Sequence, residues 1–175
     1  MRQGLLNHGL RVVPLFAAML FAGCAKAPPP PPTLLFGGLP ISGTLADAKA
    51  AGFTDCIYMD AVRLRCRKHG ATIQNQGPYE AAVDFGRSDG GGGFHLLTLW
   101  HDQDQYAVYK IRDTLTQQGW RHCLTGSDQR GDQAIFMRAG APVWISMDLS
   151  YWGKRRLRII PIANTHGRAC TPKPA

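Results

Sequence analysis

A five-residue pattern occurs twice in this chain, 67 residues apart, as Gly52-Phe53-Thr54-Asp55-Cys56 and Gly119-Trp120-Arg121-His122-Cys123. Self-similarity at a fixed shift predicts a chain built from two similar supersecondary units. The same shift carries Ala48 onto Leu115, and after one gap Val83-Asp84-Phe85 answers Met147-Asp148-Leu149. In both copies the order is an amphipathic stretch, a glycine, an aromatic, and then a strand that carries a cysteine. The expected class is therefore α+β: tandem duplicated helix-plus-antiparallel-strand units over residues 42–101 and 102–163, sharing one sheet with both helices on one face.

In the first unit Thr44 precedes the helix and Asp47 can reach back to it, which is the chemistry of a capping box. Leu45, Ala48 and Ala51 then fall on one side, and Gly52 suits the left-handed residue that ends a helix. Strands are predicted over 53–59, 62–68, 79–87 and 94–101. In the second unit Asp102 or Asp104 is the candidate cap, with Val108, Ile111 and Leu115 on one face and Gly119 at the end. Its strands are predicted over 120–125, 133–138, 143–152 and 156–162. Pro161 cannot donate to a ladder, which points the last strand to a sheet edge. The Ser88–Gly93 segment reads as a strand connection. This arrangement is similar to the tandem α/β repeats of the β-lactamase inhibitory protein family, a resemblance of architecture carried by no motif; it implies a sheet face that docks a partner.

Alternation separates the two faces of such a sheet. Val62, Leu64 and Cys66 point one way, and Arg63, Arg65 and Arg67 the other. Val143, Ile145, Met147, Leu149 and Tyr151 alternate with Trp144, Ser146, Asp148, Ser150 and Trp152, and Arg156 and Arg158 alternate with Leu157 and Ile159. The outward set thus combines Arg63, Arg65, Arg67, Arg156 and Arg158 with Trp144 and Trp152. Arginine and tryptophan are the types enriched at interface hot spots. Arginines that dock a partner from a wet face are expected to be replaceable at little cost to folding.

The segment before Cys24 has the parts of an export signal: Arg2 and Arg11 without an acid, an apolar run from Leu10 to Phe21, then Ala22 and Gly23. The junction Leu20-Phe21-Ala22-Gly23-Cys24 resembles the lipobox of bacterial lipoproteins, with Phe21 where Leu, Val or Ile is usual. The resemblance implies that residues 1–23 are cleaved and that Cys24 is diacylated and N-acylated, so that the chain is anchored to a membrane facing the periplasm. Ala25 in place of Asp implies the outer membrane. Pro28 to Pro32 can neither join a sheet nor continue a helix, and as polyproline II they make a stiff spacer of roughly 15 Å within the tether over residues 24–33. Residues 34–175 remain as one domain. The net charge of +8 falls to +6 without the two signal arginines. A basic exported protein has an anionic envelope component or an acidic protein as its expected partner, not nucleic acid.

Four cysteines follow Cys24, and an oxidising compartment pairs them. Cys56 and Cys66 flank a hairpin centred on Asp60-Ala61, which leaves Cys123 for Cys170; Met137 takes the place opposite Cys123 that Cys66 takes opposite Cys56. A Cys56–Cys123 bridge across the two units is the alternative.

Nothing in the chain spells a reaction. Gly90 to Gly93 lacks the Gly-Lys-Ser/Thr ending of a phosphate loop, and no serine sits in a Gly-x-Ser-x-Gly elbow. His95 and His101, with Asp102 and Asp104, lack paired metal-ligand spacing, and Arg130-Gly131-Asp132 is a three-residue match in a strand connection. No cofactor, metal or catalytic residue is assigned, and no oligomeric state. The expected function is a lipid-anchored, non-enzymatic binding module of the inhibitor, immunity or assembly-accessory type; the alternative is a cell-envelope hydrolase with an unrecognised site.

Overall fold

Residues 33–125, 132–149 and 155–162 are described by a computed structural model. The signal segment, Cys24, Pro28 to Pro32, Arg130-Gly131, Trp152 and Cys170 lie outside the described residues. In chain order the elements are β1 (Leu35–Phe36), β2 (Leu39–Pro40), α1 (Leu45–Ala50), β3 (Asp55–Tyr58), β4 (Leu64–Ile73) and β5 (Gln76–Phe85). β6 (Phe94–Trp100), α2 (Ala107–Gln117), β7 (Arg121–Leu124), β8 (Gln133–Met137), β9 (Val143–Asp148) and β10 (Arg156–Pro161) follow. β1 and β2 form a small hairpin; the other eight strands form one antiparallel sheet in the order β3-β4-β5-β6-β10-β9-β8-β7. The order reads alike from either edge, because the first strand after each helix is outermost. β6 and β10 meet at the centre, with Leu97 opposite Ile159 and Leu99 opposite Leu157.

Alternate strand residues and both helices share a single core. Cys66, Ala81, Val83, Leu97, Leu99, Phe136, Ile145, Met147, Leu157 and Ile159 pack in one cluster with Ala48 of α1 and with Val108, Ile111 and Leu115 of α2. Phe36, Leu39 and Ile41 of the β1–β2 hairpin join the same cluster, so the described helices and hairpin all lie on one side of the sheet. Each large aliphatic side chain sealed there contributes about 1.5–3 kcal/mol of transfer free energy. Two glycines let the backbone approach closely. Gly37, at φ 57°, lies where a Cβ would collide with Ile73, and Gly90, at φ 74°, lies where one would meet Leu45 Cβ at 2.7 Å.

The capping box of α1 is formed: Thr44 Oγ1 accepts from Asp47 N–H at 3.3 Å, and Asp47 Oδ2 accepts from Thr44 N–H at 2.7 Å. The bonds that Asp47 Oδ2 accepts from Thr44 N–H and from the Thr44 hydroxyl hold the exposed Asp47 carboxyl below the usual carboxylate range. At α2 the expected cap is corrected. Tyr106 occupies the N-cap position without a side-chain bond; Asp104, two residues earlier, accepts Tyr106 N–H through Oδ1 at 2.8 Å instead of bonding the first turn of the helix. Pro161 is likewise corrected, since β10 is central. The β6 partnership of β10 covers Arg156 to Ile159 and stops short of Pro161, which meets only Val143 of β9. The ladder on the β6 side has ended where a proline would have broken it.

β4 and β5 run far past the predicted strands and close in a two-residue turn at Gln74 and Asn75, with φ of 51° and 60°. Both values lie in the left-handed region that a type I′ hairpin turn requires. The hairpin tip reaches the second helix: Gln76 Nε2 donates to Thr114 Oγ1 at 2.7 Å, and Gln118 Nε2 donates to Gln74 Oε1 at 3.0 Å.

Cys56 lies opposite Cys66 across β3 and β4, and the two are joined by a disulfide. Cys123 is also disulfide-bonded, and because Cys56 is joined to Cys66 a Cys56–Cys123 bridge is excluded. Ile135, not Met137, lies opposite Cys123; Met137 is opposite Arg121. The two units also differ by one residue at the strand start: two residues separate Gly52 from β3, and one separates Gly119 from β7. A single-residue change of register inverts a strand. Cys56 therefore packs against the core, whereas Cys123 shares the opposite face with Ile135.

Candidate binding face

The face of the sheet away from the helices is built of three cross-strand rows. The central row runs Asp55, Arg67, Ala82, Thr98, Arg158, Ser146, Ile135 and Cys123 from β3 to β7. On one side of it Ile57, Arg65, Asp84 and Leu96 line up across β3 to β6, and Ile160 pairs with Trp144 across β10 and β9. On the other side Glu80, Trp100 and Arg156 form a row, and Asp148 pairs with Gln133. The middle is floored by small residues, Ala82, Thr98 and Ser146, which are 1%, 6% and 2% exposed. Taller neighbours stand over them.

Arg65, Arg67, Trp144, Arg156 and Arg158 are therefore gathered on one face, as alternation requires. Arg63 stands apart. It sits in the β3–β4 turn, where its Nε donates to Asp60 Oδ2 at 2.7 Å while Asp60 Oδ1 accepts Val62 N–H at 2.9 Å. The bond from Arg63 is the main reason that the Asp60 carboxyl is held below its usual range. Trp152 lies outside the described residues.

The arginines are not equivalent. Arg65 makes a bidentate pair with Asp84, its cross-strand neighbour, through Nε at 2.5 Å and Nη2 at 2.8 Å. This hydrogen bonding raises the Arg65 pKa, against the smaller opposing effect of burial. Arg158 makes the corresponding pair with Asp148, through Nη1 at 2.5 Å and Nη2 at 3.1 Å. Two of the four cations in the rows are thus already neutralised by the chain's own carboxylates. Arg156 is exposed, and its side chain makes no hydrogen bond or ion pair with another described residue. Arg67 is half-buried, and its Nε donates to no acceptor among the described residues. On this geometry a charge reversal at Arg65 and Arg158 is expected to cost folding free energy, because each would set a carboxylate against an aspartate.

Several contributors were missed in the sequence. Trp100 is half-buried opposite Arg156, and its Nε1 donates to Asp102 Oδ1 at 3.2 Å. Leu96 and Ile160 add apolar surface beside Trp144, whose own Nε1 is buried without an acceptor among the described residues. The alternation of Leu96, Thr98 and Trp100 was available as a signal. A β-bulge between Asp84 and Phe85 disguises it, because it lets Phe94 turn inward with an extra residue, His95, before Leu96. His95 and His101 consequently stand at opposite ends of β6. His101 Nδ1 accepts the N–H groups of Gln103 and Asp104 at 3.2 and 2.8 Å, which occupies it as a turn acceptor. Among the described residues no three His, Cys, Asp or Glu side chains are grouped to hold a metal ion, and no described helix is long and apolar enough to cross a membrane. No protein-family model, curated protein or solved structure matches the chain.

Proposed function

We propose that the chain is an exported lipoprotein, anchored to the outer membrane through Cys24 and tethered by Pro28 to Pro32, whose domain binds a protein partner and is not an enzyme. In this reading the domain arose by duplication of one helix-plus-four-strand unit, which accounts for a strand order that reads alike from both edges. The observation that carries the reading is the face opposite the helices. It brings Trp100, Trp144, Leu96 and Ile160 together with Arg156 and Arg67. Pairing of Arg65 with Asp84 and of Arg158 with Asp148 leaves an aromatic surface of mixed charge rather than a continuous cationic field. Such a surface suits a folded protein with complementary acids better than it suits a polyanionic lipid or polysaccharide layer. Inhibitor, immunity and assembly-accessory roles all follow from one docking face.

The test uses crosslinked cell envelopes. Wild-type chain should capture a defined protein, and Trp100→Ala with Trp144→Ala should reduce capture at least about tenfold through lost hot-spot contact. Arg156→Glu should slow association more at low salt than at moderate salt. Equal capture of the same protein by all variants would overturn the reading, and capture by anionic lipid alone would replace the protein with a lipid surface. Turnover of peptidoglycan or phospholipid by the purified chain would establish the hydrolase alternative instead.

A further inference from the structure

On the helix side of the sheet, just before β10, Arg155 is only 6% exposed. Its guanidinium carbon lies 4.6 Å from the ring centroids of both Tyr106 and Tyr109, and those two rings meet edge to face at 5.9 Å. No carboxylate among the described residues pairs with it. Nε and Nη1 are buried and donate to no acceptor among the described residues, which leaves Nη2 as the guanidinium nitrogen outside that buried set. Tyr106 is the N-cap residue of α2, an eleven-residue helix with no acid in its first turn, so the positive end of the helix adjoins the same cation. Asp104 offsets part of that positive end by accepting Tyr106 N–H, and Asp102 accepts from Trp100. Neither neutralises Arg155.

A guanidinium withdrawn from water without a counter-ion is costly, and contacts with two aromatic faces return only a part of that cost. Surface arginines escape it by snorkelling to solvent. Arg155 is instead clamped in place with donors to spare. We propose that Arg155, held between Tyr106 and Tyr109 at the N-terminus of α2, is the receptor for one small oxyanion, a carboxylate or phosphate group of a ligand that approaches at Nη2. The site is on the opposite side of the sheet from the docking face and does not depend on it.

The test compares inorganic phosphate and acetate with chloride at matched ionic strength and pH, on the purified full-length chain. With the probe at about ten times its dissociation constant, the melting temperature should rise by roughly 3–6 °C in the wild type. It should not rise in Arg155→Met. A larger gain with phosphate assigns a phosphate group, and a larger gain with acetate a carboxylate. Neither probe exceeding chloride, or an equal gain in Arg155→Met, overturns the proposal. If Arg155→Met fails to fold, the wild type alone still decides. The Arg155 Nε–H resonance, shielded from solvent, should shift saturably as the effective oxyanion is added, and an unmoved resonance overturns the site.

Discussion

At Arg65 and Arg158 the side chains that look most suited to reach outward are the ones the domain uses internally. Each guanidinium lies flat against an aspartate on a neighbouring strand, and all four side chains are less than a third exposed. Bidentate geometry with partial burial places these pairs above the ordinary surface ion pair in worth. Asp84→Ala and Asp148→Ala should each destabilise the domain by about 1–3 kcal/mol, since each leaves an arginine half-buried without its acceptor. Thermal unfolding should register this as a drop of about 3–8 °C per substitution. Arg65→Glu together with Arg158→Glu should cost more, because it sets carboxylate against carboxylate at both positions. An unchanged melting temperature in the double reversal would show that the pairs contribute nothing. Arg156, by contrast, should accept Glu with no loss of stability, and that makes it the cleaner probe of docking.

Among the elements, the β3–β4 hairpin is the one most heavily braced. Asp60 ties its turn to Val62 and Arg63, and the Cys56–Cys66 disulfide closes its stem. β3 is an edge strand of four residues, and Ile57, Tyr58 and Met59 along it are exposed, so it has little core burial of its own to hold it in the sheet. A cross-link closing a loop with a sequence separation of 10 stabilises by about 2–3 kcal/mol in the chain-entropy account. Cys56→Ala with Cys66→Ala should lower stability by about that amount. It should also increase amide exchange most strongly in residues 55–66, while β6 and β10 keep their protection. Uniform loss of protection across the sheet would instead mean that the bridge supports the whole fold rather than this edge.

Across the whole molecule the two helix-led sets of strands are interlocked rather than merely adjacent. α2 belongs in sequence to the second set, yet Tyr79 of β5 donates to Ala107 O at 3.0 Å and Gln76 bonds Thr114. With β6 and β10 paired at the centre of one core, residues 33–162 should melt in a single transition. The anchor is tested at the same scale. If Cys24 carries more than one acyl chain, as stable anchoring needs, the wild-type chain should partition with membranes, and Cys24→Ala, which lacks the thiol to be acylated, should stay unprocessed and carry no lipid. A soluble, unmodified protein starting near Cys24 in wild-type cells would rule the anchor out.

What the sequence determined by itself is local. The Thr44–Asp47 cap, the hairpin that brings Cys56 to Cys66, and the division of Val143 to Asp148 into two faces all depend on residues a few places apart. Propensity and alternation act at that range. The long β4–β5 hairpin was less legible because its turn relies on left-handed Gln74 and Asn75 instead of glycine. Only the tertiary structure decided which aspartate meets which arginine, that Pro161 ends a central strand, that Cys123 faces away from the core, and that Arg155 lies between Tyr106 and Tyr109. These depend on strand order and on register to the single residue, set by the burial of the whole core rather than by any one segment.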